Sequence, residues 1–146
     1  WSASRWMAAE LDESAVAYID ALPHSLTATS APDLRLVHGT PRSNNEGLGP
    51  WTSDEQIGRH LGSIGEALLV CGHTHRPMLR TLNGRTVVNS GAVGLPFNRD
   101  RRAQYVVLEQ DDGNWSVDFR RIDYPLDRVL EIYESSGFLE LGGITA

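Results

Sequence analysis

The stretch ALLVCGHTHRP, residues 67–77, joins a short apolar run to two closely spaced histidines. The run is too short for a buried helix and stops at a glycine, so it predicts a buried strand over 67–71. His73 and His75 then follow the strand directly. If this segment stays extended, side chains two residues apart share a face, and both imidazoles point the same way. The spacing therefore predicts paired nitrogen ligands at a strand end.

A second segment of the same design lies upstream. LRLV, residues 34–37, predicts a short strand that ends at His38. Loops at the carboxyl ends of parallel strands build the ligand site in open α/β sheets. We therefore expect the two strands to share a sheet and to bring His38 to His73 and His75. Three imidazoles on one rim suit Zn, Mn, Fe, Ni or Co.

Periodicity and turn residues predict the other elements of a mixed α/β fold. We expect about six strands and three helices in a single domain over 1–146, with the second hairpin in a sheet that faces the first two strands. The predicted segments are a helix over 11–22, a loop over 39–51, a helix from 52, a hairpin over 78–89, a loop over 90–102, a hairpin over 105–121 and a helix over 125–137.

Composition excludes several classes of protein. The chain has 146 residues, 40% of them apolar and 22% charged, which is ordinary for a globular domain. Its net charge of −6 argues against nucleic acid as a bulk partner. No apolar run approaches the roughly 18 residues of a membrane span. The single cysteine excludes an internal disulfide and fits a reducing compartment, so we expect a cytoplasmic protein.

The residue pattern also allows a compact alternative. Cys71, His73 and His75 have the same parity in sequence, so together they would form a mononuclear structural zinc site. Against this, a free cysteine that ends an apolar run is more often a small buried hydrophobe. The remaining histidines, His24 and His60, are expected to have no role as ligands.

Three segments, in this order, resemble the second half of a calcineurin-like metallophosphoesterase of the small bacterial and archaeal type. They are LVHGTPRS at 36–43, CGHTHRP at 71–77 and VVNSGAVGLPFNRD at 87–100. The last two metal-binding blocks of that family are a lone His before Gly and then Gly-His-x-His. The resemblance implies a four-layer α-β-β-α sandwich for the whole domain, with this chain as its C-terminal portion.

The resemblance also implies a chemistry. His38 and His73 would bind one divalent transition metal of a binuclear pair, and His75 would bind the other. Metals in such sites lie roughly 3.5–4 Å apart and activate a shared hydroxide for attack on a phosphoester. The implied activity is that of a phosphatase or phosphodiesterase, with no catalytic residue in this chain beyond the metal ligands.

The chain departs from the family pattern in its first half. Asp-x-His, Gly-Asp-x-x-Asp and Gly-Asn-His do not occur in the sequence. Three neutral imidazoles do not offset the repulsion between two divalent ions, which needs a bridging anion. We therefore expect that the N-terminal half of the domain is missing and is the partner of this chain, which is inactive alone. We also expect the 67–71 strand to lack a neighbour and to expose an apolar flank that favours homo-oligomers.

Relatives on this fold suggest a different function. Some members of the family have lost metal ligands and act as scaffolds, so a non-catalytic protein-binding module is the alternative hypothesis. The intact Gly-His-Thr-His at 72–75 argues against it, because a scaffold has no need for paired imidazoles.

Weaker signals surround the histidines. Arg42 and Arg76 are candidates for contacts with a phosphate, although a surface salt bridge is the commoner role of such arginines. Gly39 and Gly72 touch the histidines in sequence, and we expect Gly72 to permit a close backbone approach. Asn89, in a turn of Asn and Gly residues, is expected to shape the loop beside the metals.

Overall fold

A computed structural model describes residues 2–141, which form two compact units. Residues 23–123 make up the sheet unit, and the described residues 2–22 with 124–141 make up the helical unit. The strands are β1 (Ser25–Ala28), β2 (Ala31–Val37), β3 (Leu68–Cys71), β4 (Met78–Leu82), β5 (Arg85–Asn89), β6 (Ala103–Asp111) and β7 (Asn114–Ile122). The helices are α1 (Ser2–Ala9), α2 (Glu13–Asp20), α3 (Asp54–Gly62), α4 (Leu126–Ser135) and α5 (Phe138–Leu141).

The sheet unit is built on a five-stranded sheet with strand order β1-β2-β3-β5-β4. β3 pairs in parallel with β2 on one side and with β5 on the other. The outer strands β1 and β4 are antiparallel to their neighbours. The two strands predicted to share a sheet therefore do so, and they are directly paired.

The central position of β3 corrects one expectation. We expected the 67–71 strand to lack a neighbour, but β3 has a partner on both sides and all four of its residues are buried. The reason is the hairpin of β4 and β5, whose second strand returns beside β3 in parallel. The sheet edges are instead formed by β1 and β4, and β1 was not predicted.

Helix α3 covers one face of the sheet. Its N-cap is Ser53, whose side chain accepts from the backbone N–H of Gln56, while the Gln56 side chain accepts from the Ser53 N–H. This capping box fixes where the helix starts. The buried face of α3, Ile57 and Leu61, joins a core cluster with Leu69 of β3.

The hairpin of β6 and β7 covers the opposite face as a separate two-stranded sheet. Its alternating residues Trp115, Val117 and Phe119 pack against a cluster that includes Leu68 and Val70 of β3. The facing sheet predicted from the sequence is confirmed, and the sheet unit has three layers, α-β-β.

Both hairpins turn on two residues in the left-handed region. Asn83 and Gly84 have φ of 52° and 76°, and Asp112 and Gly113 have φ of 45° and 79°. Positive φ at both central positions is the turn that matches the twist of paired strands. The Asn-Gly and Asp-Gly pairs thus set the registers of β4 with β5 and of β6 with β7.

The helical unit has its own apolar centre. Asp12 caps α2 by accepting the Ala15 N–H at 2.8 Å. Phe138 at the start of α5 is buried and meets the rings of Trp6 and Tyr133 at centroid distances of 5.1 and 5.0 Å. Helices α1 and α5 were not predicted. No helix within residues 2–141 is long and apolar enough to cross a bilayer.

Replacing Leu69 with Ala should destabilise the sheet unit by about 2–5 kcal/mol. Leu69 is fully buried under α3, so the change removes apolar contacts and leaves a cavity. Urea unfolding followed by circular dichroism measures the effect. Leu79→Ala is the matched control, because Leu79 is half exposed on β4. An equal loss in both variants would contradict this account of the core.

Candidate metal centre

His38 and His73 meet where β2 and β3 end. The Gly72 N–H donates to the His38 carbonyl at 2.9 Å, which carries the parallel pairing past the last residues of the strands. Nε2 of His38 then lies 3.1 Å from Nδ1 of His73, with the two rings edge to face at a centroid distance of 5.0 Å. The strand ends thus bring together two of the three candidate ligands.

The separation of these two nitrogens suits a shared cation. Two nitrogens that bind one tetrahedral zinc ion at about 2.0–2.1 Å lie about 3.3 Å apart. The same distance also permits a hydrogen bond if one imidazole donates and the other accepts. The pair therefore fits either a shared proton or two adjacent positions around one metal ion.

His75 has a different environment. Its Nδ1 lies 2.9 Å from the carbonyl oxygen of Leu95, and its ring stacks on Phe97 at 5.3 Å. The Phe97 N–H donates back to the His75 carbonyl at 3.1 Å. Since a carbonyl only accepts, this contact favours the proton on Nδ1, and in that tautomer of the neutral ring Nε2 keeps its lone pair.

The geometric argument for parallel imidazoles at 73 and 75 is wrong. It assumed an extended segment, but His73 and His75 have φ of 64° and 55°, in the left-handed region. The chain curls there because the Thr74 N–H donates to the Gly72 carbonyl at 2.7 Å. One ring consequently meets His38 and the other meets Phe97.

Within residues 2–141, no group of three or more His, Cys, Asp or Glu side chains is arranged to hold a metal ion. The donor set fits a metal in type, because imidazole binds zinc and its neighbours in the first transition row. The described residues supply two nitrogen ligands close together, from His38 and His73, and a third nitrogen apart from them, from His75. Such a centre needs further ligands.

The surroundings of His38 favour its neutral form, although the residue is partly open to solvent. Desolvation lowers the pKa of His38, and positive charge on His73 or His75 would lower it further. Neutral imidazole is the form that binds metals. The surroundings of His38 therefore favour its ligand form at neutral pH.

Cys71 lies apart from this chemistry. It is 2% exposed and belongs to the core cluster that contains Leu69 and Met78. Burial raises the pKa of its thiol to about 12. Because the thiolate is the metal-binding form, the site favours the role of a buried hydrophobe over the compact zinc site.

Asn89, at the end of β5, ties the surrounding loops together. It is fully buried, and its Nδ2 lies 2.6 Å from the Gly72 carbonyl and 2.9 Å from both the Leu48 carbonyl and the Thr74 hydroxyl. Its Oδ1 accepts the Gly91 N–H at 3.0 Å. One side chain thus joins the loop after β2, the histidine loop and the loop after β5.

The two glycines beside the histidines differ. A Cβ at Gly39 would lie 2.2 Å from the Glu46 carbonyl oxygen, so no side chain fits there. A Cβ at Gly72 would meet only the His38 carbonyl oxygen, at 3.7 Å, which is an ordinary contact. A side chain is therefore excluded at Gly39 but not at Gly72.

The other polar candidates have partners of their own. Arg42 forms a salt bridge with Glu46 at 2.8 Å, which is the commoner of the two roles considered for this arginine. The Arg76 guanidinium lies 5.4 Å from the centre of the Trp51 ring. His24 has Nε2 3.2 Å from the Pro41 carbonyl oxygen.

Sequence reasoning missed the residues that support His75. Leu95 and Phe97 belong to the loop over 90–102, for which the composition of the sequence indicates irregular structure and nothing more. Leu95 has a φ of 52°, which no periodic pattern indicates. The available signal was the presence of large apolar residues in a segment otherwise rich in Gly, Pro and Asn.

Residues 10–113 match the calcineurin-like phosphoesterase superfamily domain. The match covers more than half of the chain, which therefore belongs to that superfamily, as the histidine blocks had suggested. The comparison with curated proteins gave no match.

Solved structures share the fold. A metallophosphoesterase from Sphaerobacter thermophilus aligns over 92% of this chain with a TM-score of 0.76 and 24% identity. A hypothetical protein from Pyrococcus horikoshii OT3 aligns over 90% with a TM-score of 0.77 and 17% identity. The chain spans 62% and 53% of the length of those two proteins. A conserved uncharacterized protein from Streptococcus pneumoniae TIGR4 aligns over 70% of this chain and 58% of its own, with a TM-score of 0.50 and 21% identity.

The histidine pair should bind a single divalent ion, weakly, in this chain alone. Titration with Co²⁺, followed by its visible absorption and by NMR of the imidazole protons, should show binding that His38→Ala and His73→Ala remove. His24→Ala is the control, because His24 is exposed and apart from the pair. Binding that survives in both pair variants would contradict the assignment.

Removing the Asn89 side chain should loosen all three loops. Asn89→Ala removes one donor each from the Leu48 and Gly72 carbonyls and leaves the buried Gly91 N–H without its acceptor, which costs about 1–3 kcal/mol for the orphaned group. Asn89→Asp should cost more, because a carboxylate would then face the Gly72 and Leu48 carbonyls. Urea unfolding of both variants measures this, with Asn45→Ala as an exposed control. Equal stability of Asn89→Ala and the parent would contradict the role of Asn89.

Proposed function

We propose that this chain is the histidine-bearing part of a metal-dependent phosphoesterase, a phosphatase or phosphodiesterase with two divalent transition metals. The observation that carries the proposal is the 3.1 Å separation of His38 Nε2 and His73 Nδ1 at the ends of two parallel strands. Membership in the calcineurin-like phosphoesterase superfamily supports it. The substrate is then a phosphoester.

Each histidine has a separate task in this proposal. His38 and His73 hold one ion, while His75 offers Nε2 to the other. The Leu95 carbonyl fixes the proton on Nδ1 of His75 and so keeps Nε2 as the ligand. When bound, the ions would supply a hydroxide nucleophile and polarise the phosphoryl oxygens.

The proposed centre also requires carboxylates. Two divalent ions close together repel one another, and neutral imidazoles do not offset this repulsion. The family blocks that carry the acidic ligands do not occur in this sequence. We therefore propose that polypeptide bearing those blocks completes the domain, and that this chain by itself does not turn over substrate.

Location and assembly belong to the same proposal. The single thiol of Cys71 is reduced and buried in the core, which is compatible with a cytoplasmic protein. Within the described residues β1 and β4 are the outer strands of the five-stranded sheet, and an outer strand can pair with another polypeptide, including a second copy of the chain.

Hydrolysis of 4-nitrophenyl phosphate and bis(4-nitrophenyl) phosphate with Mn²⁺ tests the activity. The chain alone should be inactive, and the chain joined to the Asp-x-His, Gly-Asp-x-x-Asp and Gly-Asn-His blocks should be active. His75→Ala should then lower the rate by more than the roughly 10–100-fold that loss of an outer-shell partner costs. It should also remove one ion and leave the second partly bound.

Two controls accompany this experiment. Cys71→Ala and His24→Ala should keep the metal content, since neither side chain lies with the histidine pair. Loss of metal in the Cys71 variant would favour the compact zinc site. Absence of hydrolysis in the joined protein would favour the non-catalytic module.

A further inference from the structure

A cavity of about 480 Å³ opens between the loop after β2 and helix α3. This volume lies in the range of about 300–1,000 Å³ that small-molecule sites occupy. Its walls carry an indole, an imidazole, an amide and charged groups. The residues that matter here are Glu46, Gly47, Trp51, Gln56, Arg59 and His60.

The cavity adjoins the histidine loop. Gly47 forms part of its wall, and a Cβ at that position would lie 3.1 Å from Cδ2 of His73 and 2.5 Å from the Thr74 methyl. Leu48, also in the wall, accepts through its carbonyl from Asn89. The wall is therefore held in a fixed position against the residues that carry the candidate ligands.

Trp51 provides a rigid aromatic surface in this wall. Its six-membered ring lies against Gly49, where a Cβ would come within 2.6 Å of it, and the Arg76 guanidinium lies over the ring. Despite both contacts, 62% of Trp51 is exposed. A planar ring can stack on the open part of the indole, beside or in place of the Arg76 guanidinium.

Polar groups with spare hydrogen-bonding capacity line the same cavity. Gln56 uses Oε1 in the capping box, while its Nε2 has no partner within the described part of the chain. The His60 ring also makes no hydrogen bond there. Burial lowers the pKa of His60, so its neutral ring offers one donor and one acceptor.

The charges of the cavity do not favour a bare anion. Arg42 is engaged by Glu46 at 2.8 Å, and Arg59 by Glu55 at 2.9 Å. An aliphatic ligand would leave the Gln56 amide and the His60 imidazole without hydrogen-bond partners. A planar ring with donors and acceptors at its edge uses both the stacking surface and these groups.

We propose that the cavity binds the organic part of the phosphoester, a planar heteroaromatic group such as a nucleobase, stacked on Trp51. Its edge bonds to Gln56 and His60, and the attached phosphate lies on the Gly47 side of the cavity, which adjoins His73. The link to a phosphoester depends on the proposed function. Binding of the ring itself requires no metal.

Adenosine, titrated into the chain in the presence of EDTA, tests the cavity independently of hydrolysis. NMR should show shifts at the Trp51 indole N–H and the His60 ring. Trp51→Ala should weaken binding by about tenfold, and Trp51→Phe should restore most of it because it keeps a stacking ring. Tyr18→Ala, at another exposed aromatic, should have no effect.

The outcomes separate the two proposals. Adenosine binding without hydrolysis in the completed protein would uphold the cavity and reject the phosphoesterase. Hydrolysis without shifts at Trp51 and His60 would reject the cavity and leave the phosphoesterase standing. Equal shifts from ribose or inorganic phosphate, or equal affinity in Trp51→Ala and the parent, would also overturn the assignment to a planar ring.

Discussion

The buried carboxamide of Asn89 is the interaction on which the candidate centre depends. It reaches the carbonyls of Leu48 and Gly72 and accepts from Gly91, so three loops are fixed relative to one side chain. The bonds to the Leu48 carbonyl and from the Gly91 N–H are buried, and leaving such groups unpaired is costly. The histidine loop and the wall of the adjoining cavity consequently share one support.

Parallel pairing does the rest of the positioning. β2 and β3 end at the same edge of the sheet, and the Gly72 N–H extends their hydrogen bonding to the His38 carbonyl. Helix α3 and the hairpin of β6 and β7 bury the two faces behind this edge. The sheet unit therefore presents an irregular, polar rim on a rigid apolar base, the usual arrangement for chemistry on an α/β fold.

The sequence predicts what depends on local pattern. Apolar runs located β2 and β3, the pair Asn83-Gly84 located a hairpin, and strand-end placement joined His38 to His73. The orientation of His75 could not be predicted, because it depends on a left-handed backbone and on a carbonyl twenty residues away. The central place of β3 was likewise missed, since parallel pairing with β5 is a long-range contact that no local signal marks.

The left-handed backbone at His73 and His75 lowers the stability of the fold, but it presents two candidate metal ligands. A side chain other than glycine in this conformation costs roughly 1–2 kcal/mol per residue, and here the cost falls on two imidazoles within one loop. Glycine at either position would relieve the conformational strain and delete a nitrogen donor. Evolution toward a sturdier fold alone would thus tend to erase both histidines, so the conformation that presents the two imidazoles is one that fold stability alone does not favour.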